Sequence, residues 1–259
     1  MTVPVVLLAG GLGTRLREET EIRPKPMVEI GGRPIIWHIM KHYSFFGFNE
    51  FVVCLGYKGE YIKDFFLNYC VLRGSLTIDL RTGKRHKHDE SDIEPWTVHL
   101  LETGADTMTG GRIRRAAQFL GQRRFMATYG DGVSDVDIGK LLSFHVRLER
   151  KATITAVRPP ARFGGLTIEG TAISEFTEKP QIGEGWINGG FMVIEPDVID
   201  LIDGDSSILE RYPLETLARQ GQLTAFEHRG FWQCVDTIRD LDLLRELWNS
   251  DSAPWKFWK

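Results

Sequence analysis

Short continuous apolar runs that end on glycine alternate along this chain with longer segments whose apolar residues recur every three or four positions. Residues 3–9 form the first run and stop at Gly10-Gly11, the pattern of a buried strand. Residues 34–46 follow as a helix, with Pro34 suited to its first turn, Ile35, Ile39 and Met40 on one face, and Gly47 at its end. A second apolar strand is predicted over 51–55 and a second helix over 59–69. This strand–helix–strand–helix rhythm predicts parallel strands joined by crossover helices, an α/β domain.

From residue 73 to 103 the pattern loosens. Strands are predicted at 76–80 and 97–101, separated by a polar insert around 81–95. Its stretch Arg81 to Glu90 has no apolar periodicity and reads as a mobile loop. A helix over 110–120 carries Ile113, Ala116, Ala117 and Leu120 on one side. The strand 125–129 stops at Gly130-Asp131-Gly132, and a helix over 137–150 follows. After a strand at 152–157 the chain is broken by Pro159-Pro160, and 166–168 with 173–176 read as a hairpin across Gly170. Residues 186–194 read as one strand containing Gly189-Gly190, where another backbone or a ligand can come close. Short helices at 197–202 and 214–220, a strand at 223–227 and a closing helix at 239–248 complete the series. With no repeat, low-complexity segment or linker, the expectation is one continuous domain over residues 1–259.

Composition narrows the function classes. The 259 residues are 42% hydrophobic and 26% charged, with a formal net charge of −3, so no cationic surface argues for nucleic acid or anionic lipid. No apolar run reaches the roughly 20 residues of a membrane span. The N-terminal residues lack a cationic leader and a cleavage site, which predicts no secretory signal. Cys54, Cys70 and Cys234 are odd in number and widely spaced, which predicts reduced thiols in a cytoplasmic protein. His86 and His88 have no further ligands at metal-binding spacing and read as loop residues. No G-x-S-x-G elbow marks a serine hydrolase.

The chemistry concentrates at Leu8-Ala9-Gly10-Gly11-Leu12-Gly13-Thr14-Arg15-Leu16 and the Pro24-Lys25-Pro26-Met27 behind it. Glycines let backbone N–H groups close around an anion, and a guanidinium with an ammonium complements a polyphosphate. The dinucleotide fingerprint fails because Leu16 stands where its third glycine belongs. The P-loop fails because Thr14-Arg15 replaces its Lys-Ser/Thr. Asp131 follows an apolar strand, at the sheet end where open α/β folds bind ligands, and is of the type that takes Mg²⁺. Local sequence alone favours a plain turn aspartate there, and it leaves Asp236 readable as a helix cap.

The long composite motif Gly10-Gly11-Leu12-Gly13-Thr14-Arg15-Leu16 with Pro24-Lys25-Pro26-Met27 resembles the opening of the sugar-phosphate nucleotidyltransferases. The likeness continues through Gly56-Tyr57-Lys58-Gly59, Thr109-Gly110-Gly111-Arg112, Tyr129-Gly130-Asp131-Gly132, Glu178-Lys179-Pro180 and Ile187-Asn188-Gly189-Gly190-Phe191. Glu18-Glu19-Thr20 lacks the proline usual in thymidylyl and uridylyl members, which points to the cytidylyl branch. The resemblance implies a Rossmann-like fold with a mixed, mostly parallel central sheet, flanking helices and a small β-rich sugar-binding portion. It implies transfer of a cytidylyl group from CTP to α-D-glucose 1-phosphate, giving CDP-D-glucose for bacterial surface polysaccharide and releasing pyrophosphate. The alternatives are UTP, dTTP or another hexose 1-phosphate in the same reaction, or a non-catalytic regulatory subunit.

Residue roles follow from the same resemblance. Leu8, Ala9, Gly10, Gly11, Gly13, Thr14, Gly130, Thr107 and Arg112 border the nucleotide. Arg15 takes the triphosphate tail and Lys25 the α-phosphate, with Asp131 the third catalytic group. Asp131 and Asp236 share one Mg²⁺, and Lys179, Asn188, Gly189 and Gly190 border the sugar phosphate. The aromatic tail Trp255, Phe257 and Trp258 is expected in packing or a subunit contact, and the resemblance implies a homo-oligomer, a trimer or hexamer.

Overall fold

Val5–Leu8 is buried along its whole length, so it takes a middle position in the sheet, where both faces are covered. The computed structural model describes residues 3–11, 13, 16–70, 75–88, 93–159, 165–169, 172–177 and 185–258; residues 17, 18, 87, 165–169 and 172–177 are described by backbone alone. Val5–Leu8 pairs in parallel with Glu50–Leu55 on one edge and with Phe125–Tyr129 on the other. Thr97–Glu102 extends the first side, again in parallel. On the second side Met192–Ile194 and then Ala152–Val157 join antiparallel. Ala152–Val157 also pairs antiparallel with Ile187–Asn188 and parallel with Leu223–His228. The chain thus leaves Val5–Leu8 in one direction and returns to its opposite edge. That reversal opens a crevice at the carboxyl ends of Val5–Leu8 and Phe125–Tyr129.

Side chains alternate across the sheet and define two cores. Val5, Leu7, Phe51 and Val53 pack with Ile36, Ile39, Met40, Leu241 and Leu244, from the helices Ile35–Phe45 and Ile238–Asn249. Val6, Leu8, Val52 and Cys54 pack on the other face with Ile113, Ala116 and Leu120 of Thr109–Leu120 and with Leu214 and Leu217 of Tyr212–Arg219. The expected mixed sheet with flanking helices is present.

Two segments differ from expectation. Residues 84–87, read as loop, are a strand (Lys84–Lys87) paired antiparallel with Leu76–Asp79. The turn has its own local chemistry: the Asp79 carboxylate accepts from Arg81 N at 2.9 Å, and Gly83 takes φ +70°. Residues 186–194 are not one strand but two, Ile187–Asn188 and Met192–Ile194. Gly190 at φ +76° and Phe191 at φ +45° leave the extended conformation between them. The predicted hairpin is present as Gly165–Glu169 against Ala172–Thr177, while its Gly170 lies outside the described residues.

The aromatic tail folds back on its own chain. Trp255 is fully buried and stacks on Phe231, with ring centroids 5.5 Å apart, while Trp258 meets Trp37 edge to face at 5.7 Å. His38 is the polar centre of this cluster. Its Nε2 lies 2.9 Å from Ile30 O and must donate to it; its Nδ1 then accepts from Trp255 Nε1 at 3.4 Å. Only the neutral ring satisfies both bonds. His42, equally buried, donates from Nε2 to Val136 O at 2.7 Å.

Burial pushes both imidazoles down from 6.5 to about 4. Unfolding therefore takes up protons below the ordinary histidine range. The stability these rings contribute is complete above about pH 6.5 and is lost as pH falls toward 4, at about 3 kcal/mol for each ring. Urea midpoints should be level above neutrality and fall steeply between pH 6.5 and 4; a flat profile there would contradict neutral burial. Trp255→Ala should cost about 3 to 5 kcal/mol in the same measurement at pH 7.5.

Candidate active site

The strands Gly132–Ser134 and Trp232–Cys234 pair antiparallel with Gly132 opposite Cys234. Val235 N continues the ladder by donating to Asp131 O at 2.9 Å. This register, and nothing in the linear spacing, sets Asp131 beside Asp236. Asp236 is not a helix cap, since Thr237 fills that position in a capping box with Asp240. Asp240 Oδ2 also accepts from Asp236 N at 3.1 Å, which fixes the backbone of the aspartate.

Lys25 reaches the pair from a third direction. It starts the one-turn helix Lys25–Met27 directly after Pro24, and Pro26 follows it, so two proline rings restrict the local backbone. Its Nζ lies 2.8 Å from Asp131 Oδ2 and 2.6 Å from Asp236 Oδ1. Burial acts to lower the ammonium pKa, but the charge of Asp131 and the hydrogen bonds to both aspartates outweigh it and leave the pKa raised above 10.5. Lys25 is therefore a fixed cation at neutral pH.

Arg112, expected at the nucleotide, has a different set of partners. Nη1 donates to Leu55 O, Gly104 O and Thr103 Oγ1, and Nη2 to Gly10 O and Ala105 O, at 2.6 to 3.3 Å. The guanidinium thus ties together the chain segments leaving three parallel strands. A Cβ on Gly10 would lie 2.1 Å from Arg112 Nη1, and one on Gly56 2.6 Å from it. Gly10 is glycine so that the guanidinium can reach the backbone. Gly11 faces open space, while Gly13 takes φ +64° and lies against Thr20, whose Cγ2 an added Cβ would meet at 2.8 Å.

The opposite wall carries residues that sequence reasoning missed. Tyr129 Oη donates to Glu210 Oε1 at 2.5 Å, and Thr109 Oγ1 donates to Glu210 Oε2 at 2.6 Å. Asn188 Nδ2 donates to Tyr129 Oη at 3.1 Å, and Asn188 Oδ1 accepts from Gly190 N at 2.9 Å. Trp232 Nε1 donates to Gly189 O at 2.8 Å, so the strand break is held from both sides. Cys234 borders Asp236, with Sγ 3.7 Å from its Oδ2, and its thiol is neutral because burial, reinforced by Asp236 and Asp131, pushes it up to about 12. Tyr129 is marked in sequence by its place just before Gly130-Asp131. Glu210 carries no motif; only the fold brings it here.

These walls enclose a cavity of about 680 Å³ at the crevice between Val5–Leu8 and Phe125–Tyr129. Leu8, Ala9, Gly10, Gly11, Gly13, Lys25, Thr107, Arg112, Gly130, Asp131, Asn188 and Asp236 line it together. Gly189 and Gly190 stand behind Asn188 and Tyr129 rather than on the surface of the cavity. Thr14, Arg15 and Lys179 lie outside the described residues. Asp131 and Asp236 converge as hard oxygen donors on one cationic centre, the donor type that suits Mg²⁺. Among the described residues no group of three His, Cys, Asp or Glu side chains is arranged to hold a metal, so substrate oxygens and water would have to complete any coordination there.

The nucleotidyl transferase family model matches residues 4–242. Glucose-1-phosphate cytidylyltransferase of Salmonella typhi is 51% identical over 255 residues, covering 98% of this chain and 99% of that protein. Mannose-1-phosphate guanyltransferase of Saccharomyces cerevisiae is 28% identical over 91% of this chain and 62% of its own length. Among solved structures, HddC from Yersinia pseudotuberculosis superposes with a TM-score of 0.70 at 25% identity, over 95% of this chain and 100% of that one. The chain belongs to the nucleotidyl transferase family, with the glucose-1-phosphate cytidylyltransferases as its relatives at half identity over their full length.

Proposed function

We propose that this protein transfers a cytidylyl group from CTP to α-D-glucose 1-phosphate, giving CDP-D-glucose and pyrophosphate. The observation that carries this reading is Lys25 held between Asp131 and Asp236 at the sheet's reversal crevice, in a chain half identical to cytidylyltransferases over their whole length. In the step itself an ionised oxygen of the sugar phosphate bonds to the α-phosphorus. The bond from that phosphorus to the bridging oxygen of the β-phosphate breaks, and pyrophosphate leaves with the electron pair. The nucleophile arrives ionised, so the site supplies alignment and positive charge rather than a general base.

In this reading Lys25 meets the α-phosphate where the substrates join and Arg15 takes the triphosphate tail. Gly11 and Gly13, with Leu8, Ala9, Gly130 and Thr107, border the nucleotide. Lys179 and Asn188, with Gly189 and Gly190 behind, border the sugar phosphate. Arg112 serves the nucleotide indirectly, by holding Gly10. Asp131 and Asp236 would hold Mg²⁺, which supplies further neutralisation of phosphate charge when bound. A single domain over residues 1–259 and a cytoplasmic location, read from the chain's continuity and its three cysteines, and assembly as a homo-oligomer, implied by the resemblance, belong to the same reading.

Pyrophosphate release measured with CTP, UTP, dTTP and ATP against several hexose 1-phosphates should be fastest with CTP and glucose 1-phosphate. Preference for another nucleotide would defeat the cytidylyl assignment, and no release with any pair would defeat the enzymatic one. Lys25→Ala and Asp131→Asn should each lower turnover by at least about a hundredfold with the fold intact by circular dichroism. A near-normal single-turnover rate in either variant removes that residue from the site.

A further inference from the structure

Two hydrogen-bond chains on the cavity wall end on one carboxylate. The first runs from Gly190 N to Asn188 Oδ1 at 2.9 Å, from Asn188 Nδ2 to Tyr129 Oη at 3.1 Å, and from Tyr129 Oη to Glu210 Oε1 at 2.5 Å. The second runs from Leu209 N to Thr109 Oγ1 at 2.9 Å and from Thr109 Oγ1 to Glu210 Oε2 at 2.6 Å. Each chain starts at a backbone N–H, which can only donate, and this sets the direction of the bonds that follow. Each hydroxyl accepts from behind and passes its hydrogen forward. Glu210 fits the meeting point because a carboxylate accepts at both oxygens, whereas an amide accepts at one alone.

That direction decides what the wall shows to a ligand. Asn188 cannot flip, since its Nδ2 would then face Gly190 N, donor against donor. Gly190 at φ +76° and Phe191 at φ +45° form the strand break that brings this N–H back onto the Asn188 side chain. Asn188 Nδ2 carries a second hydrogen with no partner among the described residues, and Asn188 lines the cavity. It stands on the Met192–Ile194 side of Phe125–Tyr129, whereas the glycine loop follows Val5–Leu8 on the other side. Tyr129, Asn188, Glu210 and Trp232 line this part of the cavity, and none of the four is a cation. Neutral donors beside a carboxylate suit uncharged hydroxyls, while the carboxylate repels phosphate. Resting on the transferase reading above, we infer that Glu210 is a positioning residue for the hexose. By accepting from Tyr129 it fixes the direction of the Tyr129–Asn188 chain, and so aims the Asn188 amide at a hydroxyl of the glucosyl group. Thr109, at the start of Thr109–Leu120, holds the carboxylate from the other side.

The role is measurable without turnover, by calorimetric titration of the full-length protein with CDP-glucose and, separately, with CTP, each with Mg²⁺ and without its co-substrate. Glu210→Met keeps the side-chain length and removes both acceptor oxygens. Its Kd for CDP-glucose should rise at least about tenfold while its Kd for CTP stays within about threefold of wild type. Glu210→Gln keeps one acceptor oxygen, which the phenol takes as the more acidic of the two hydroxyls, so CDP-glucose binding should return to within about threefold of wild type. In a Tyr129→Phe background the chain is already cut, and adding Glu210→Met should change the Kd for CDP-glucose by less than about twofold. A full further loss in that background shows Glu210 acting by another route and overturns the inference. Unchanged CDP-glucose binding in Glu210→Met overturns it too, as does an equal loss of CTP binding, which a general structural role or a contact to the nucleotide would give. If Glu210→Met does not fold, Glu210→Ala is scored by the same two affinities, with the same outcomes for and against. A wild type that binds neither ligand defeats the transferase reading and this inference with it, whereas a wild type that binds both beside an unaffected variant defeats this inference alone.

Discussion

Three charges meeting at one point organise this molecule. Lys25, Asp131 and Asp236 come from the start, the middle and the end of the chain, and each is delivered by a different element. Their convergence requires Val5–Leu8 and Phe125–Tyr129 to be sheet neighbours, so that Pro26 lies against Gly130, where an added Cβ would stand 3.1 Å from its ring. It also requires the ladder between Gly132–Ser134 and Trp232–Cys234 in one register. A one-residue slip would turn every side chain of that ladder to the opposite face and separate the carboxylates. The closing helix and its aromatic tail, remote from the cavity, brace the segment that carries Asp236. Leu241, Leu244 and Trp255 all lie in the core that also contains Val133 and Val235.

What could be read from sequence follows a physical division. Val5–Leu8 and Phe125–Tyr129 are buried on both faces and so appear as unbroken apolar runs, which made strand and site position legible together. Helix 109–120 was legible through Ile113, Ala116 and Leu120 because its burial has the helical period. The hairpin around Thr82-Gly83 was partly legible: Leu76–Asp79 was predicted as a strand, but its partner Lys84–Lys87 contains no apolar residue to mark it, and a local turn closes the two. The break at Gly189–Phe191 was half legible, since two glycines announce an irregularity but not the positive φ of Phe191.

The site divides in the same way. A glycine loop and its cations announce an anion site by composition. The Asp131–Asp236 pair, 105 positions apart, depends on a strand register that no local pattern encodes, and sequence reasoning reached it through family likeness alone. Glu210 lies wholly beyond such reasoning. It sits in an irregular segment before Tyr212–Arg219 and becomes part of the cavity only because Thr109 and Tyr129 take its two oxygens.

The glycine motif itself changes meaning once its neighbours are visible. Gly10 and Gly56 yield their Cβ positions to a guanidinium from within the fold and Gly13 yields its own to Thr20, while Gly11 faces open space. Gly10 and Gly13 thus serve packing within the fold, and Gly11 alone among the described glycines of the motif has nothing at its Cβ position. Arg112 donates to five oxygen acceptors where buried strands end, of which Gly10 O and Leu55 O also accept from Tyr57 N and Thr103 N, and so ties these chain segments together. A lysine there could not bridge the same acceptors, because its single ammonium lacks the planar fork.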